Sequence, residues 1–472
     1  MNFLQAKTIH FTGIKGVGMA ALAGIALDLK KTVSGSDTAE VFPTDVWLKT
    51  TKAAIKVGFS PKHLSADCEL LIYTGAHRGA ANPEVRAARR RGITVINYAQ
   101  ALAQLAEEKM LLATAGVGGK STTAGMLATI LETAGCQPSW AIGVGALRPL
   151  GQPGRWRRGG GYLVAETDEF VADPKYDLTP KFHYLHPAVA IVTNLEHDHP
   201  DIYPTLEEVF ASFRVFVNQL RPGGTVIANI DNPRVQTWIR TIDQPVLTYG
   251  FSPQADWRIL AVRTVGEKQW FSLQYKHEIE ENLVLNLPGR YNVSNAAAAL
   301  AAGYFLGLES EKLAAGIKAF GGSRRRFELI AEVNKVRLYD DYAHHPLEIK
   351  AVLAAARDWL PGRRLIVIFQ SHTYSRTKAL LKEFGESLSA ADVVIVNDIF
   401  ASARETETLG VSGAALARLI KPKKKMVNYA AGLTETIRYL EKIIVAGDVI
   451  FTLGAGNNWL WHQSIIECLQ RL

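Results

Sequence analysis

The sequence predicts an α/β protein of several domains built around parallel sheets. Short β-branched or apolar runs at residues 9–12, 70–73, 111–114, 189–193, 365–369, 393–396 and 449–453 alternate with helical stretches, the pattern of βαβ units. Two of these runs lead into separate glycine loops, near 13 and near 116, and such sheets bind anions where strand ends meet helix N-termini. The chain, at 472 residues, is also longer than one hydrophobic core organises.

The first domain is expected over 1–109, the second over 110–320 and the third over 321–472. The first boundary precedes Met110 and the second glycine loop. The second falls where Gly321, Gly322, Ser323 and the run Arg324, Arg325, Arg326 interrupt regular periodicity. Residues 19–27 are apolar and follow Lys7 and Lys15, as in a signal peptide. The preceding Gly13, Gly16 and Gly18 suit a strand-to-helix turn instead, so the segment is expected to be the first helix. Residues 150–161, rich in glycine and arginine, read as a loop of the second domain. The longest other apolar stretch, 296–308, is shorter than the roughly 18 residues a membrane span needs, and no membrane insertion is expected.

Composition narrows the function. Hydrophobic residues at 48% and charged residues at 21% exclude a disordered chain. The net charge of +8 is scattered along the sequence, which favours phosphorylated small molecules over nucleic acid as partners. Cys68, Cys136 and Cys468 have no metal-binding or disulfide-framework spacing, pointing to a reducing, cytoplasmic setting.

Four motifs carry chemistry. Gly13-Ile14-Lys15-Gly16-Val17-Gly18-Met19 follows a predicted strand and opens a predicted helix, so backbone N–H groups can meet a diphosphate. Ser36 and Asp37 lie some 20 residues on, where dinucleotide folds contact a nucleoside; NAD and a UDP-sugar both fit. The second motif, Thr114 to Thr123, keeps Gly116, Gly118, Gly119, Lys120, Ser121 and Thr122 of a phosphate-binding loop, with Thr114 in place of its first glycine. Lys120 would neutralise the β- and γ-phosphates and Ser121 would ligate Mg²⁺. The third set, Glu166, Asp168 and Glu169 with Glu196, His197, Asp198 and His199, stands at two strand ends of the same domain, where carboxylates hold Mg²⁺. In the fourth, Asp340, Asp341, Tyr342, His344 and His345 are followed after the next strand by His372, Tyr374 and Arg376. Carboxylate recognition by Arg376 with a histidine is simpler there than a metal site.

In this order the motifs resemble the Mur ligase family, the ATP-dependent amino-acid ligases of peptidoglycan precursor synthesis, over essentially the whole chain. Further segments carry the likeness: Asn292 to Asn295, Arg325-Arg326-Phe327, Asp398 to Glu405 with Arg404, and Gly447 to Gly456. The segments around Asp340 to Pro346 and His372 to Thr377 point to its alanine-adding branch and that branch's near relatives. The resemblance implies a Rossmann-like N-terminal domain for a UDP-substrate, a central P-loop-type ATPase domain with a parallel sheet, and a C-terminal Rossmann-like α/β domain for the amino acid. It implies ATP and Mg²⁺ as cofactors, UDP-N-acetylmuramate and L-alanine as substrates, and a monomer or homodimer.

Carried over by position, Gly116 to Thr122, Asn292, Asn295, Arg326 and Asp341 would contact ATP, and Ser121, Glu166 and His199 would ligate Mg²⁺. Gly13, Gly16, Gly18, Met19, Ser36 and Asp37 would contact the UDP-substrate, and Tyr342, His344, His372 and Arg376 the amino acid. Lys120, Arg326, His199 and His344 would be catalytic, the two histidines as candidate bases. The chain departs from the family at Val117, Gly118 and Ser121. It also has a longer stretch between Glu169 and Pro187, where Lys181-Phe182-His183-Tyr184 resembles the murein-tripeptide recycling ligase. That ligase, an NAD-dependent oxidoreductase and a nucleotide-binding regulator are the competing readings.

Overall fold

A computed structural model describes every residue of the chain except 198, 200–201, 402–404, 406 and 421–425. Asp198 and Arg404, named in the motifs above, therefore lie outside the described residues. The chain forms two compact units, one of residues 1–263, 269–286 and 292–324, the other of 264–268, 287–291 and 325–472.

Each apolar run forms a strand: Thr8–Thr12, Leu70–Tyr73, Met110–Ala115, Val189–Val192, Leu365–Phe369, Val393–Val396 and Val449–Leu453. Apart from Met110 at its edge, every residue of these strands is buried. Parallel strands covered on both faces bury every side chain, which is why the runs are continuously apolar.

The first unit contains two large sheets. In one, Ala54–Val57, Thr32–Asp37, Thr8–Thr12, Leu70–Tyr73 and Thr94–Asn97 lie side by side, all parallel. The chain order reverses beside Thr8–Thr12, so the loop at Gly13 leaves the sheet at its switch point, where such folds bind ligands. The second sheet has ten strands, and its centre places Met110–Ala115 between Val189–Val192 and Tyr162–Glu166. Glu166 pairs with Thr114 and Val192 with Ala115, bringing three strand ends together. That sheet's far edge departs from the expected parallel pattern: Gln269–Tyr275 and Glu278–Leu285 pair antiparallel.

The first two expected domains form one unit, and two glycines mark one place where they meet. The stretch 150–161, expected to be a loop, contributes the short strand Gly154–Arg155, antiparallel to Ser139–Ala141. Gly154 rests on the helix Val17–Asp28: a Cβ there would lie 1.9 Å from Ala21 O, and one at Gly24 would lie 2.7 Å from Gly154 O. Backbone meets backbone without a side chain between them. The helix is accordingly apolar around its circumference, with Met19 to Ala26 all buried.

The second unit is a six-stranded sheet ordered Glu328–Val333, Val336–Asp341, Val449–Leu453, Leu365–Phe369, Val393–Val396, Met426–Tyr429. Only the first pair is antiparallel. Among the described residues no helix is long and apolar enough to cross a membrane.

Candidate functional site

The strand Met110–Ala115 ends at Gly116, and the helix Lys120–Thr133 begins four residues later. Gly116 (φ +122°) and Gly119 (φ +84°) adopt left-handed conformations, and Cβ atoms on them would lie 2.4 Å from Thr193 Oγ1 and 2.5 Å from Asn295 Oδ1. These two glycines turn the loop. Thr114, standing for the motif's first glycine, is a buried strand residue whose hydroxyl lies 3.3 Å from Lys120 O. Asn194 fastens the loop from behind: its Oδ1 accepts from Val117 N (2.7 Å) and Gly118 N (3.0 Å), and its Nδ2 donates to Gly118 O (2.9 Å). Thr193 Oγ1 donates to the same carbonyl at 2.6 Å. Neither residue is given a role by its sequence motif; the available signal is a polar Thr-Asn pair closing the neighbouring strand.

Lys120 Nζ lies 3.2 Å from Glu169 Oε2. Burial alone would lower the ammonium, but the carboxylates of Glu169, Asp168 and Glu166 outweigh it and hold Lys120 above its ordinary value. Asp168 is opposed by burial too, yet Lys181, at 2.6 Å, and Lys120 keep it below the usual carboxylate range. Glu166 Oε2 accepts from Gly143 N at 2.7 Å. Ser121 and Thr122 sit on the first helical turn, and the Ser121 hydroxyl has no hydrogen bond among the described residues. His199, at φ +56°, packs its ring on Phe170 with centroids 4.7 Å apart. The first turns of the helix Arg290–Phe305 bring Asn292 and Asn295 to the loop, and Asn295 Nδ2 donates to Asn292 Oδ1 at 3.3 Å.

Among the described residues no three His, Cys, Asp or Glu side chains are grouped to hold a metal by themselves. The donors on offer, the Ser121 hydroxyl and the Glu166 carboxylate, are hard oxygens. They suit Mg²⁺, which takes one or two protein oxygens and completes its shell with phosphates and water.

The lengthened stretch after Glu169 is a hairpin, Val171–Asp173 with Asp177–Pro180, followed by the turn Lys181–Tyr184. Asp173 Oδ2 accepts from Ala80 N (2.8 Å) and Asp177 Oδ2 from Asn97 Nδ2 (2.9 Å), while Lys181 reaches Asp168. It thereby ties the first sheet to the acidic cluster beside Lys120.

At the first glycine loop, Gly13 has φ +73° and its N–H donates to Ser36 O at 2.8 Å. Gly16 N donates to Gly13 O, and a Cβ on Gly18 would meet the Tyr98 ring at 2.8 Å. Among the described residues no side chain caps the helix that follows, which leaves the N–H groups of its first turn open to a ligand's acceptor. The side chains expected to touch a ligand here are turned inward. Met19 is packed in the core, the Ser36 hydroxyl donates to the buried Glu84, and Asp37 accepts from Lys15 N and Thr38 N at 2.8 Å each. These three residues shape the loop from below.

In the second unit, Val336–Asp341 and Leu365–Phe369 flank Val449–Leu453 and end at the same sheet edge. His344 follows the first, with its ring centroid 5.1 Å from Tyr342 and 6.3 Å from His372, which follows the second. Arg376 lies on the helix Tyr374–Ala379, and the Arg326 guanidinium lies 5.4 Å from the Tyr342 ring centre. His345 turns the other way: its Nδ1 accepts from Leu347 N and caps the helix Pro346–Trp359. Asp341 is 3% exposed, its two oxygens accept from Phe327 N and Ala343 N at 2.7 Å each, and burial pushes it up to about 6.

The class follows from likeness along the whole chain, which belongs to the Mur ligase family. Residues 8–110 match the family's catalytic domain, 115–303 its middle domain and 325–456 its glutamate ligase domain. The chain is 38% identical over 468 residues to the UDP-N-acetylmuramate–L-alanine ligase of Geotalea daltonii, covering 99% of both chains. It is 39% identical over 473 residues to the ligase of that name from Gloeobacter violaceus, covering 99% of this chain and 96% of that one. Its fold is similar to the crystal structure of UDP-N-acetylmuramate-alanine ligase from Thermotoga maritima, at TM-score 0.81 and 24% identity over 98% and 99% of the two chains. It is also similar to a murein peptide ligase from Psychrobacter arcticus, at TM-score 0.71 and 24% identity with the same coverage.

Proposed function

We propose that the protein joins L-alanine to the lactyl carboxylate of UDP-N-acetylmuramate, driven by ATP, in peptidoglycan precursor synthesis. The observation that carries this is the 38% identity, over 99% of both chains, with a ligase of that name. The geometry around Lys120 supports it. A carboxylate is a poor electrophile, so it first attacks the ATP γ-phosphorus in line, giving an acyl phosphate and ADP. Lys120 on the phosphate loop offsets the negative charge gathered there, and Arg326 is assigned the same task. Ser121 and Glu166 would hold Mg²⁺, with His199 as ligand to a second ion; bound Mg²⁺ supplies charge neutralisation at the phosphates. The amine of alanine then attacks the acyl carbon and phosphate departs.

Asn292 and Asn295 contribute to the ATP site, Gly13, Gly16 and Gly18 offer backbone N–H groups to the UDP diphosphate, and Tyr342, His372 and Arg376 orient the amino acid. Domain boundaries near 109 and 320, and a cytoplasmic site of action, belong to the same reading. Phosphate release with ATP, Mg²⁺ and UDP-N-acetylmuramate tests it. Strong dependence on free L-alanine is expected. Dependence on the L-Ala-D-Glu-diaminopimelate tripeptide would move the assignment to recycling, and indifference to both would overturn the ligase reading.

A further inference from the structure

The reaction leaves a proton to be placed. Near neutral pH the free amino acid carries an ammonium, and only its amine attacks an acyl phosphate. In the second unit His344 Nδ1 lies 3.1 Å from Tyr342 O. A carbonyl can only accept, so Nδ1 carries the hydrogen and the neutral ring has its lone pair at Nε2. Nε2 has no hydrogen-bond partner among the described residues.

Behind the ring stands a carboxylate. Glu348 Oε2 is 3.6 Å from Nδ1 and accepts from His344 N (3.1 Å) and His345 N (3.3 Å), part of the capping box of the helix Pro346–Trp359. The cap fixes the carboxylate on the side of the ring away from Nε2. An imidazolium formed by proton capture at Nε2 would therefore have its compensating charge already in place. The other groups facing the ring are the Arg376 and Arg326 guanidiniums and the rings of Tyr342 and His372. Burial first, then the two arginines, lower His344 against the raising effect of Glu348, and the net result is below its ordinary value. The resting ring is neutral, as a base must be.

We infer that His344 Nε2 takes the proton of the incoming ammonium and that Glu348 is the positioning residue that orients the ring and compensates its charge. The inference rests on the ligase reading and deepens it. One ammonium proton passes to Nε2, the freed nitrogen lone pair bonds to the acyl carbon, and the carbon–oxygen bond to phosphate breaks. The second proton shed on amide formation leaves with the phosphate, and the imidazolium returns its proton to water.

Hydroxylamine makes the test selective, because it is already neutral at pH 7 and traps an acyl phosphate as a hydroxamate without needing a base. The full-length protein and its H344N and E348Q variants would be assayed with ATP, Mg²⁺ and UDP-N-acetylmuramate, using alanine or hydroxylamine as nucleophile. For H344N, kcat with alanine should fall about 10²- to 10⁴-fold, while hydroxamate formation stays at the parent rate. In E348Q the amide oxygen keeps the cap but the charge is gone. Its kcat with alanine should fall about tenfold, and the acid limb of its pH profile should move to lower pH. Equal slowing with both nucleophiles, a raised KM for alanine with kcat unchanged, or an unmoved acid limb in E348Q would overturn the inference. No hydroxamate from the parent protein would instead overturn the ligase reading beneath it.

Discussion

The first unit holds two glycine loops that look alike on paper and differ in what their lysines do. Both follow a buried central strand, both open a helix without a side-chain cap, and both carry a lysine among the glycines. Lys15 Nζ donates to Thr38 O (3.0 Å) and Glu40 O (2.9 Å), with Asp45 Oδ2 3.7 Å away. Its donors are occupied by the chain's own backbone, so the lysine straps the loop to the segment behind it. Lys120 faces Glu169, Asp168 and Glu166, and among the described residues its ammonium hydrogen-bonds to the Glu169 carboxylate alone. A phosphate can replace a carboxylate at an ammonium, since both are anionic acceptors, whereas a backbone carbonyl in a folded segment stays where it is. On the proposed function, the lysine whose present partner is exchangeable, Lys120, is the one suited to a phosphate.

The sharpest way to break that contrast is Lys120→Ala. Without the ammonium, ATP cleavage should fall on the order of 10³-fold or more, as when a preorganised charge at a transition state is removed. Binding of UDP-N-acetylmuramate, followed by calorimetric titration, should survive, because the first loop shares no residue with the second. Loss of both in a folded variant would mean that the two loops form a single site.

The first loop depends on a buried web beneath it. Glu84 is fully buried and accepts from the Ser36 hydroxyl, Ser60 N (2.9 Å) and His63 Nδ1 (2.9 Å), with His10 Nε2 3.3 Å away. Removing one partner of such a network strands the others, so Glu84→Ala should cost about 3–5 kcal/mol of stability in the first sheet. Hydrogen exchange of the strands Thr8–Thr12 and Thr32–Asp37 would read it directly. Burial alone would push Glu84 up, but the bonds from His10, Ser36 and Ser60 reverse that and hold it below its ordinary value. Its contribution is therefore present above the unfolded-state value and is lost as pH falls through the folded-state one. Acid should loosen this sheet in the parent protein, and in Glu84→Ala that part of the pH dependence should vanish.

These contrasts also mark how far the sequence can be read. Strands, glycine loops and the Lys120 helix are local: a continuous apolar run or a glycine next to a lysine announces itself within ten residues. The partners that give each loop its character are not local. Thr193 and Asn194, which hold Gly118, stand more than seventy residues away from it, as the separations of 75 and 76 show. Glu84 meets Ser36 across 48 positions, and Glu348 reads as an ordinary first-turn helix residue until the loop folds back on it. Within the stretch 150–161, Gly154 permits close packing on the helix Val17–Asp28, a use that loop composition alone does not reveal. For the same reason spacing places Met19, Ser36 and Asp37 at the first glycine loop, while the direction of their side chains depends on a core assembled from distant strands.

The smallest expected effect completes the contrast. In Lys15→Met the aliphatic stem still packs, but Thr38 O and Glu40 O lose their donor and, being only partly buried, turn to water at a cost of about 1 kcal/mol. The segment after Asp37 should then be held less firmly. The Kd for UDP-N-acetylmuramate should rise by about tenfold or less, because 1.4 kcal/mol corresponds to a factor of ten. With that substrate saturating, ATP cleavage should proceed at the parent rate, since no charge at the phosphates has been removed. A Lys15→Met protein that binds its UDP-substrate normally but cannot cleave ATP would reverse the assignment, making Lys15 a phosphate ligand and the strap a resting contact like that of Lys120 with Glu169.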